Sequence, residues 1–388
     1  MKFYIILLCS FILFFTSPSF AQKTEFDSLV VKGIKQIYSI KFSAAEKTFQ
    51  TLTNNYPNHP AGKFFLAMIY WWKIILDASY EGYDDIFIEK LEEVIEQCDN
   101  ILDKDPDNVD AMFFKGGAIG FRGRLMALRD SWLSAADNGR EALPLVERAG
   151  ELDPDNVDVQ LGFGIYNYYA DVIPEKYPVV KPLMLFIPSG DKELGIKQLK
   201  NVADNGKYAK YEARYFLMTL YFRFENDANS AEKYSKTLNE DFPDNPVFER
   251  WRGRITVRRG KLAAADSIFK DILIKAGKRL PGYNTLKVKR EAVYYIGFYY
   301  RSLNQYDSAQ VYFEKCIDYS RKLDKDKASG YMINSTLYLG MIKEINEEYI
   351  AAKMYYEKVL DMREFGNSHE QAERNLERIE QMGKTDNE

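Results

Sequence analysis

The chain has 388 residues and a formal net charge of −4, with 46% hydrophobic, 28% charged and 15% aromatic residues, but only 2 His and 3 Cys. So few Cys and His exclude a disulfide-stapled scaffold and a zinc centre built on those residues, and the wealth of Phe, Tyr, Leu and Ile excludes a disordered chain. The slightly acidic balance provides no global basic field, so nucleic acid is not expected as a partner.

Residues 1–21 read as a secretory signal peptide. Lys2 supplies the positive start, Phe3 to Phe15 is apolar apart from Ser10, and Ser19-Phe20-Ala21 places small residues where a signal peptidase reads. The apolar run is shorter than the ~20 residues of a spanning helix, which argues against a retained anchor. Cys9 lies inside the apolar run, so it is not a lipoprotein cysteine. The expected mature chain starts at Gln22 and is exported, to the periplasm or cell envelope if the bacterial look of the residue usage holds. Cys98 and Cys316 then remain, each on the apolar stripe of an expected helix, where free cysteine acts as a small buried hydrophobe.

Beyond the signal, self-similarity runs through the chain. Asp105-Pro106-Asp107-Asn108-Val109-Asp110 recurs as Asp153-Pro154-Asp155-Asn156-Val157-Asp158, and related turns appear at Asn55-Tyr56-Pro57-Asn58 and Phe242-Pro243-Asp244-Asn245. Each follows one amphipathic run and precedes another, so Pro and Asn punctuate successive helices. A second register is sharper. Gly33 is followed by Ala45, Phe49 and Leu52; Gly253 by Ala265, Phe269 and Ile272; Gly297 by Ala309, Phe313 and Cys316; Gly340 by Ala352, Tyr356 and Val359. The Gly and Ala allow two helices to lie close, and the later pair forms one apolar stripe. Weaker copies run through Val94, Cys98 and Ile101, through Ala142, Val146 and Ala149, and through Ala231, Ser235 and Leu238.

These residues resemble the tetratricopeptide repeat, whose units of about 34 residues pair antiparallel helices. The resemblance implies an all-α, right-handed superhelical solenoid of about eight helix pairs from Phe26 to roughly Arg363. A polar capping helix at Ser368 to Met382 would close it, because the last repeat has no neighbour. The solenoid would occupy residues 22–382, leaving 383–388 as a polar tail. Extra length in the second and third units is expected in their first helices, with added turns around Tyr80 to Asp85 and Leu133 to Asn138. Asp171 to Gly190 interrupts the fourth unit with Pro174, Pro178, Pro182 and Pro188, so no continuous helix is expected there. Leu183, Leu185 and Phe186 make that insertion apolar. It either packs back on the groove or projects towards a partner or a membrane surface.

Catalytic chemistry finds little purchase. His59 and His369 fall in a turn and in the cap, and read as solvated surface residues. No nucleophile elbow, zinc-protease or phosphate-loop motif occurs. Gly116, Gly117, Gly120 and Gly123 lack the phosphate-loop Lys and read as close helix packing. Asp103, Asp105 and Asp107 mimic a calcium loop, but its Gly is absent and Phe114 stands at the bidentate Glu position. No catalytic residue, metal or cofactor is therefore expected.

Binding remains. In the resembled fold the first helix of every pair lines the concave groove. Arg250, Arg254 and Arg258 share one face at i, i+4 and i+8, and guanidinium groups suit carboxylates. The bland alternative is a basic face neutralised by neighbouring Glu and Asp. The same projection places Phe64, Phe113, Phe163, Tyr166, Tyr294 and Phe298 towards the groove, divided between core and surface, with Trp71 and Trp72 nearby. The expected function is a non-catalytic exported scaffold that captures a protein or extended peptide along the groove. The alternatives are an envelope assembly factor touching membrane through 171–190 and a small-ligand or glycan binder using the aromatics.

Overall fold

The computed structural model describes residues 18–184 and 188–385. Its helices form eight consecutive pairs: α1 (Pro18–Tyr38) with α2 (Phe42–Asn55), α3 (Ala61–Leu76) with α4 (Asp84–Leu102), α5 (Val109–Leu128) with α6 (Trp132–Leu152), and α7 (Gln160–Lys176), which pairs with α9 across the four-residue α8 (Lys181–Met184). From α9 (Lys192–Asn205) the chain continues through α10 (Lys210–Arg223) with α11 (Ala228–Asp241), α12 (Pro246–Arg258) with α13 (Leu262–Gly277), α14 (Leu286–Ser302) with α15 (Tyr306–Leu323), and α16 (Gly330–Ile345) with α17 (Tyr349–Leu360). The capping helix α18 (Ser368–Thr385) packs on α17 and α16. Among the described residues there is no strand, and no helix is long and apolar enough to cross a membrane.

The repeated register explains the pairing. Ala45, Phe49, Leu52, Ala265, Phe269, Ile272, Ala309, Phe313, Cys316, Ala352, Tyr356 and Val359 are all buried. A side chain on Gly253 would meet the Phe269 ring at 2.5 Å, so only Gly lets α12 and α13 approach this closely. Gly116 and Gly123 serve the same purpose between α5 and α6, against Val146 and Asn138. The recurring Asn caps the helix that follows the Pro turn: Asn108 Oδ1 accepts from the Ala111 amide, and Asn245 Oδ1 accepts from Val247 and Phe248.

Two local expectations need correction. In the second unit the extra length lies largely in the second helix, α4 with 19 residues against 16 in α3, whereas in the third both the first helix α5, with 20, and the second helix α6, with 21, are long. Tyr80 belongs to the connection before α4, and Leu133 to Asn138 form the first turns of α6. Helix α4 starts at Asp84 because Asp84 and Asp85 suit the positive helix end and Arg129 forks onto the Asp84 carboxylate. The insertion is also more helical than its prolines suggest. Asp171 to Lys176 complete α7, with Pro174 in the last turn, where its missing N–H frees only the Ala170 carbonyl and the helix ends two residues later. Pro178–Val180 then make a 3-10 turn in which Val180 is buried, and Tyr177 stacks on Trp132 at 4.0 Å. Residues 185–187, including Leu185 and Phe186, and the expected signal segment up to residue 17 lie outside the described residues, as does the Leu183 side chain.

The core divides unequally along the chain. One continuous apolar cluster runs from Val30 to Ile255, whereas the last pairs are held by smaller local clusters centred on Phe269, Phe313 and Tyr356. Local clusters are what a linear solenoid requires, because each repeat touches only its neighbours. The long cluster arises because the superhelix closes on itself. Tyr38 of α1 meets Tyr211, Phe242 and Phe248 at 5.4, 5.4 and 6.0 Å, and Trp72 of α3 meets Tyr215 and Phe248 at 5.8 and 5.5 Å. The Asn245 side chain donates to the Tyr38 carbonyl at 2.8 Å, so one residue caps α12 and ties it to α1.

Candidate functional site

Closure consumes part of the expected groove. Trp71 and Trp72 are each 2% exposed and Phe64 is buried, so these belong to the core. Arg124 of α5 lies over the rings of Trp71, Phe121 and Phe216 at 4.6, 4.8 and 4.2 Å, and its Nη1 meets Glu212 Oε1 at 2.6 Å. Glu212 Oε2 accepts the Tyr38 hydroxyl at 2.7 Å. Burial, then the adjacent Glu212 charge, pushes the Tyr38 phenol well above its ordinary range. One carboxylate thus joins the first, third and fifth pairs across the inner space.

The arginine row splits in two. Arg250 Nε donates to Glu291 Oε2 at 2.7 Å, Arg254 Nη2 donates to the same oxygen at 2.7 Å, and Arg254 Nε reaches Oε1. Glu291 is 1% exposed. Burial alone would raise its carboxyl, but Arg250 and Arg254 more than offset this and hold it below the ordinary carboxylate range. Two of the three guanidiniums are therefore neutralised from within. Arg258 is exposed, rests 3.8 Å from the Phe222 ring centroid and donates to the Phe222 carbonyl at 2.6 Å. No carboxylate among the described residues forms an ion pair with it.

The aromatic candidates also separate. Tyr294 is buried against Tyr331 and Tyr295, both at 5.1 Å, and its hydroxyl accepts from Asn334 at 3.3 Å. Phe298 is half-buried beside Tyr338 at 6.2 Å. Phe163 packs over Gly150 and joins the cluster of Met112, Val146 and Val159. Tyr166 is half-buried and donates to the Pro188 carbonyl at 2.5 Å, so it pins the far end of the insertion. Burial raises its phenol, helped by Glu147.

Sequence reasoning missed Glu291, although Glu291 stands six residues before Gly297, on α14, the first helix of the pair after the arginine row. It also missed three basic residues akin to Arg258. Lys176, Arg223 and Arg301 occupy the last turns of α7, α10 and α14. The signal was an aromatic seven residues before each: Tyr169 and Lys176, Phe216 and Arg223, Trp251 and Arg258, Tyr294 and Arg301. Two helical turns put both members on one face.

Groups suited to catalysis are otherwise engaged. The two histidines are half-buried rather than solvated. His59 Nδ1 accepts from the Ala61 amide and Nε2 meets Asp110 at 3.3 Å, while His369 Nε2 lies 2.9 Å from the Met362 carbonyl. Cys98 and Cys316 are free and buried, and burial pushes their thiols up to about 12 and about 11, so neither is a thiolate at neutral pH. Among the described residues no three His, Cys, Asp or Glu side chains could hold a metal ion. The Asp105 turn is a cap, with Asn108 donating to Asp105 Oδ2 and Arg148 holding Asp107.

Residues 291–323, nearly all of α14 and α15, match the tetratricopeptide repeat family model. That segment is a tetratricopeptide repeat. The described helices of the whole chain form eight consecutive pairs. Solved structures similar to this chain include human IFIT1, as a dimer with m7Gppp-AAAA, at 11% identity over 92% of this chain and 85% of that one, with a TM-score of 0.42. Yeast Tom70 is 13% identical over 94% of this chain and 84% of its own, with a TM-score of 0.37. The C-terminal part of a repeat protein from Cytophaga hutchinsonii is 14% identical over 79% and 98%, with a TM-score of 0.36. No curated protein matches the sequence significantly. As a tetratricopeptide-repeat fold, the solenoid belongs to a class that generally mediates protein interactions.

Proposed function

We propose that this protein is a non-catalytic scaffold, exported through residues 1–21, that captures a protein or extended peptide on the inner face of its last three pairs, α12 to α17. The observation that carries this reading is the uneven use of the inner face. Over the first five pairs it is spent on the protein's own core. Over the last pairs Phe298, Tyr331, Asn334 and Tyr338 stay half-exposed, and Arg258 keeps an open charge. Tyrosine and arginine there combine an apolar body with hydrogen-bonding tips, the composition that protein contacts favour. A pre-ordered surface of this kind binds by area and fit rather than by chemistry.

The test places a photo-crosslinking amino acid at Phe298, Tyr338 or Val311, one at a time, in the native host. Val311 is 47% exposed on α15, the second helix of its pair. Crosslinks to one protein from positions 298 and 338, with none from 311, support the reading. Crosslinks from 311 alone refute it. Amino-terminal sequencing of the exported fraction checks the leader, with Gln22 as the expected first residue.

The membrane reading draws support from one feature: Val179 is 59% exposed beside exposed Lys181 and Pro182. An apolar residue flanked by a lysine suits the edge of a bilayer.

A further inference from the structure

We propose that Lys287 is a strap that draws the last pairs, α14 to α17, in against the connection between α3 and α4, and that these pairs swing away together when it lets go. The motion stands on its own observations. Only its use rests on the inner-face reading above, since the strap then sets how far that face stands from the first pairs.

The apolar core does not fix the distance between these two parts. The long cluster stops at Ile255 of α12, and the clusters of the last pairs contain no residue before Val257. The last pairs are therefore stacked on α12 and α13 as a linear solenoid, each touching its neighbours. Two buried carboxylates secure that base. Glu249 of α12 accepts from the Tyr283 hydroxyl at 2.5 Å and from Lys275 at 2.9 Å, and Glu291 of α14 holds Arg250 and Arg254. Gly282, at φ +79°, lets the chain before α14 pass over Leu76 and Pro246, which a side chain there would meet at 3.0 and 2.7 Å. Four residues before Glu291, Lys287 reaches out of this base. Its Nζ donates to Asp77 Oδ1 at 2.5 Å and to Ser79 Oγ, 210 and 208 residues away in the chain. The Ser79 hydroxyl and amide donate to the same Asp77 oxygen at 3.0 and 3.3 Å, which closes the knot.

Neither partner suits its own helix. Asp77 ends α3, where the helix dipole favours a cation, and Lys287 stands in the first turn of α14, where it favours an anion. Each is placed for the other, across the gap between the two parts. Burial would raise the Asp77 carboxyl, but Lys287 and Ser79 more than offset this and hold it below the ordinary carboxylate range, so the pair is ionised at neutral pH. The strength suits a strap rather than a lock. Lys287 and Asp77 are 25% and 39% exposed, and a pair so open to solvent shifts a two-state population by roughly two- to fivefold. It therefore biases the position of the last pairs and leaves both positions within reach. Salt acts on it selectively, because it screens an exposed pair far more than the buried Glu249 and Glu291.

The test measures the distance between nitroxide spin labels attached at E96C on α4 and M354C on α17 of the full chain, by pulsed electron spin resonance. Both positions are exposed, whereas Cys98 and Cys316 are buried and stay unlabelled. At low salt the shorter distance is expected to predominate. K287Q, D77N and about 1 M salt, where the screening length falls to about 3 Å, should each lower the ratio of shorter to longer distance roughly two- to fivefold. The reversed pair D77K/K287D, whose charges suit both helix ends, should restore it. Urea midpoints of K287Q and D77N should stay close to the parent's, because relief at the helix ends offsets the lost pair. Distances that do not respond to K287Q, D77N or salt would overturn the strap. So would a reversed pair that fails to restore them, or a drop in stability with the distances unchanged, which marks a pair that only holds the fold. The distances involve no partner, so absent crosslinks from positions 298 and 338 count against the inner-face reading alone.

Discussion

If the superhelix closes through Tyr38, Glu212 and Arg124, then Tyr38 and Glu212 must be energetically coupled although 174 residues separate them. The perturbation is a double-mutant cycle of Tyr38→Phe and Glu212→Gln. Tyr38→Phe keeps the ring against Trp72 and Phe248 and removes only the hydroxyl that meets Glu212 at 2.7 Å. A hydrogen bond to a charged, buried acceptor is worth about 1.5–3 kcal/mol, which sets the expected loss. Glu212→Gln keeps an acceptor for Tyr38 but removes the charge that faces Arg124 at 2.6 Å. Its loss should be of similar size, because Glu212 is only 6% exposed and solvent screens it little. Residues that touch in one network couple by about 0.5–3 kcal/mol. Urea unfolding followed by tryptophan fluorescence measures all four corners, since Trp71 and Trp72 sit inside the closed core. Strict additivity of the two substitutions, together with unchanged hydrogen exchange in α1, would refute closure by this contact.

The remaining predictions concern single contacts. Glu291→Ala leaves Arg250 and Arg254 without their shared counter-charge and should cost about 3–5 kcal/mol of stability in urea unfolding. The Glu291 carboxyl titrates lower in the folded protein than the ~4.3 of an unfolded glutamate, so its contribution is complete above that value and is lost as pH falls through the folded one. Acid titration of stability should therefore be shallower in Glu291→Gln. Gly253→Val puts a side chain into the Phe269 ring and should lower stability by about 1–3 kcal/mol or more, read as a lower urea midpoint. Replacing residues 181–187 with a Gly-Ser linker spares the buried Val180 and should leave folding intact, and cell fractionation then decides whether that segment holds the protein at a membrane.

Local patterning carried the architecture. A helix pair is decided by residues within one unit, so Gly253 with Ala265, Phe269 and Ile272 could be read from spacing alone, and the same register placed every pair from α12 to α17. The length of α4 was less legible, because its start depends on Arg129 reaching Asp84 from a later helix. Proline was over-read at position 174, because its missing N–H frees only the Ala170 carbonyl and α7 ends two residues later. Closure was invisible for a stronger reason. It depends on the summed rotation of five pairs, and nothing in the turn around Tyr38 announces that Glu212 and Asn245 will arrive beside it.

The same distinction decides which inner-face residues are free to bind. Spacing put Arg250, Arg254 and Arg258 on one face, and all three looked equivalent. The first helix of the next pair, α14, separates them, because its Glu291 pairs with the first two and not with the third. Reversing Arg250 and Arg254 to Glu would therefore crowd like charges around a buried carboxylate and unfold that pair before any partner was lost. Arg258, which forms no ion pair among the described residues, is the member whose reversal tests binding without first breaking a buried pair. Which inner-face residues are free is thus read across units, where one pair's carboxylate meets another pair's guanidinium, and part of this solenoid's stability is read there too.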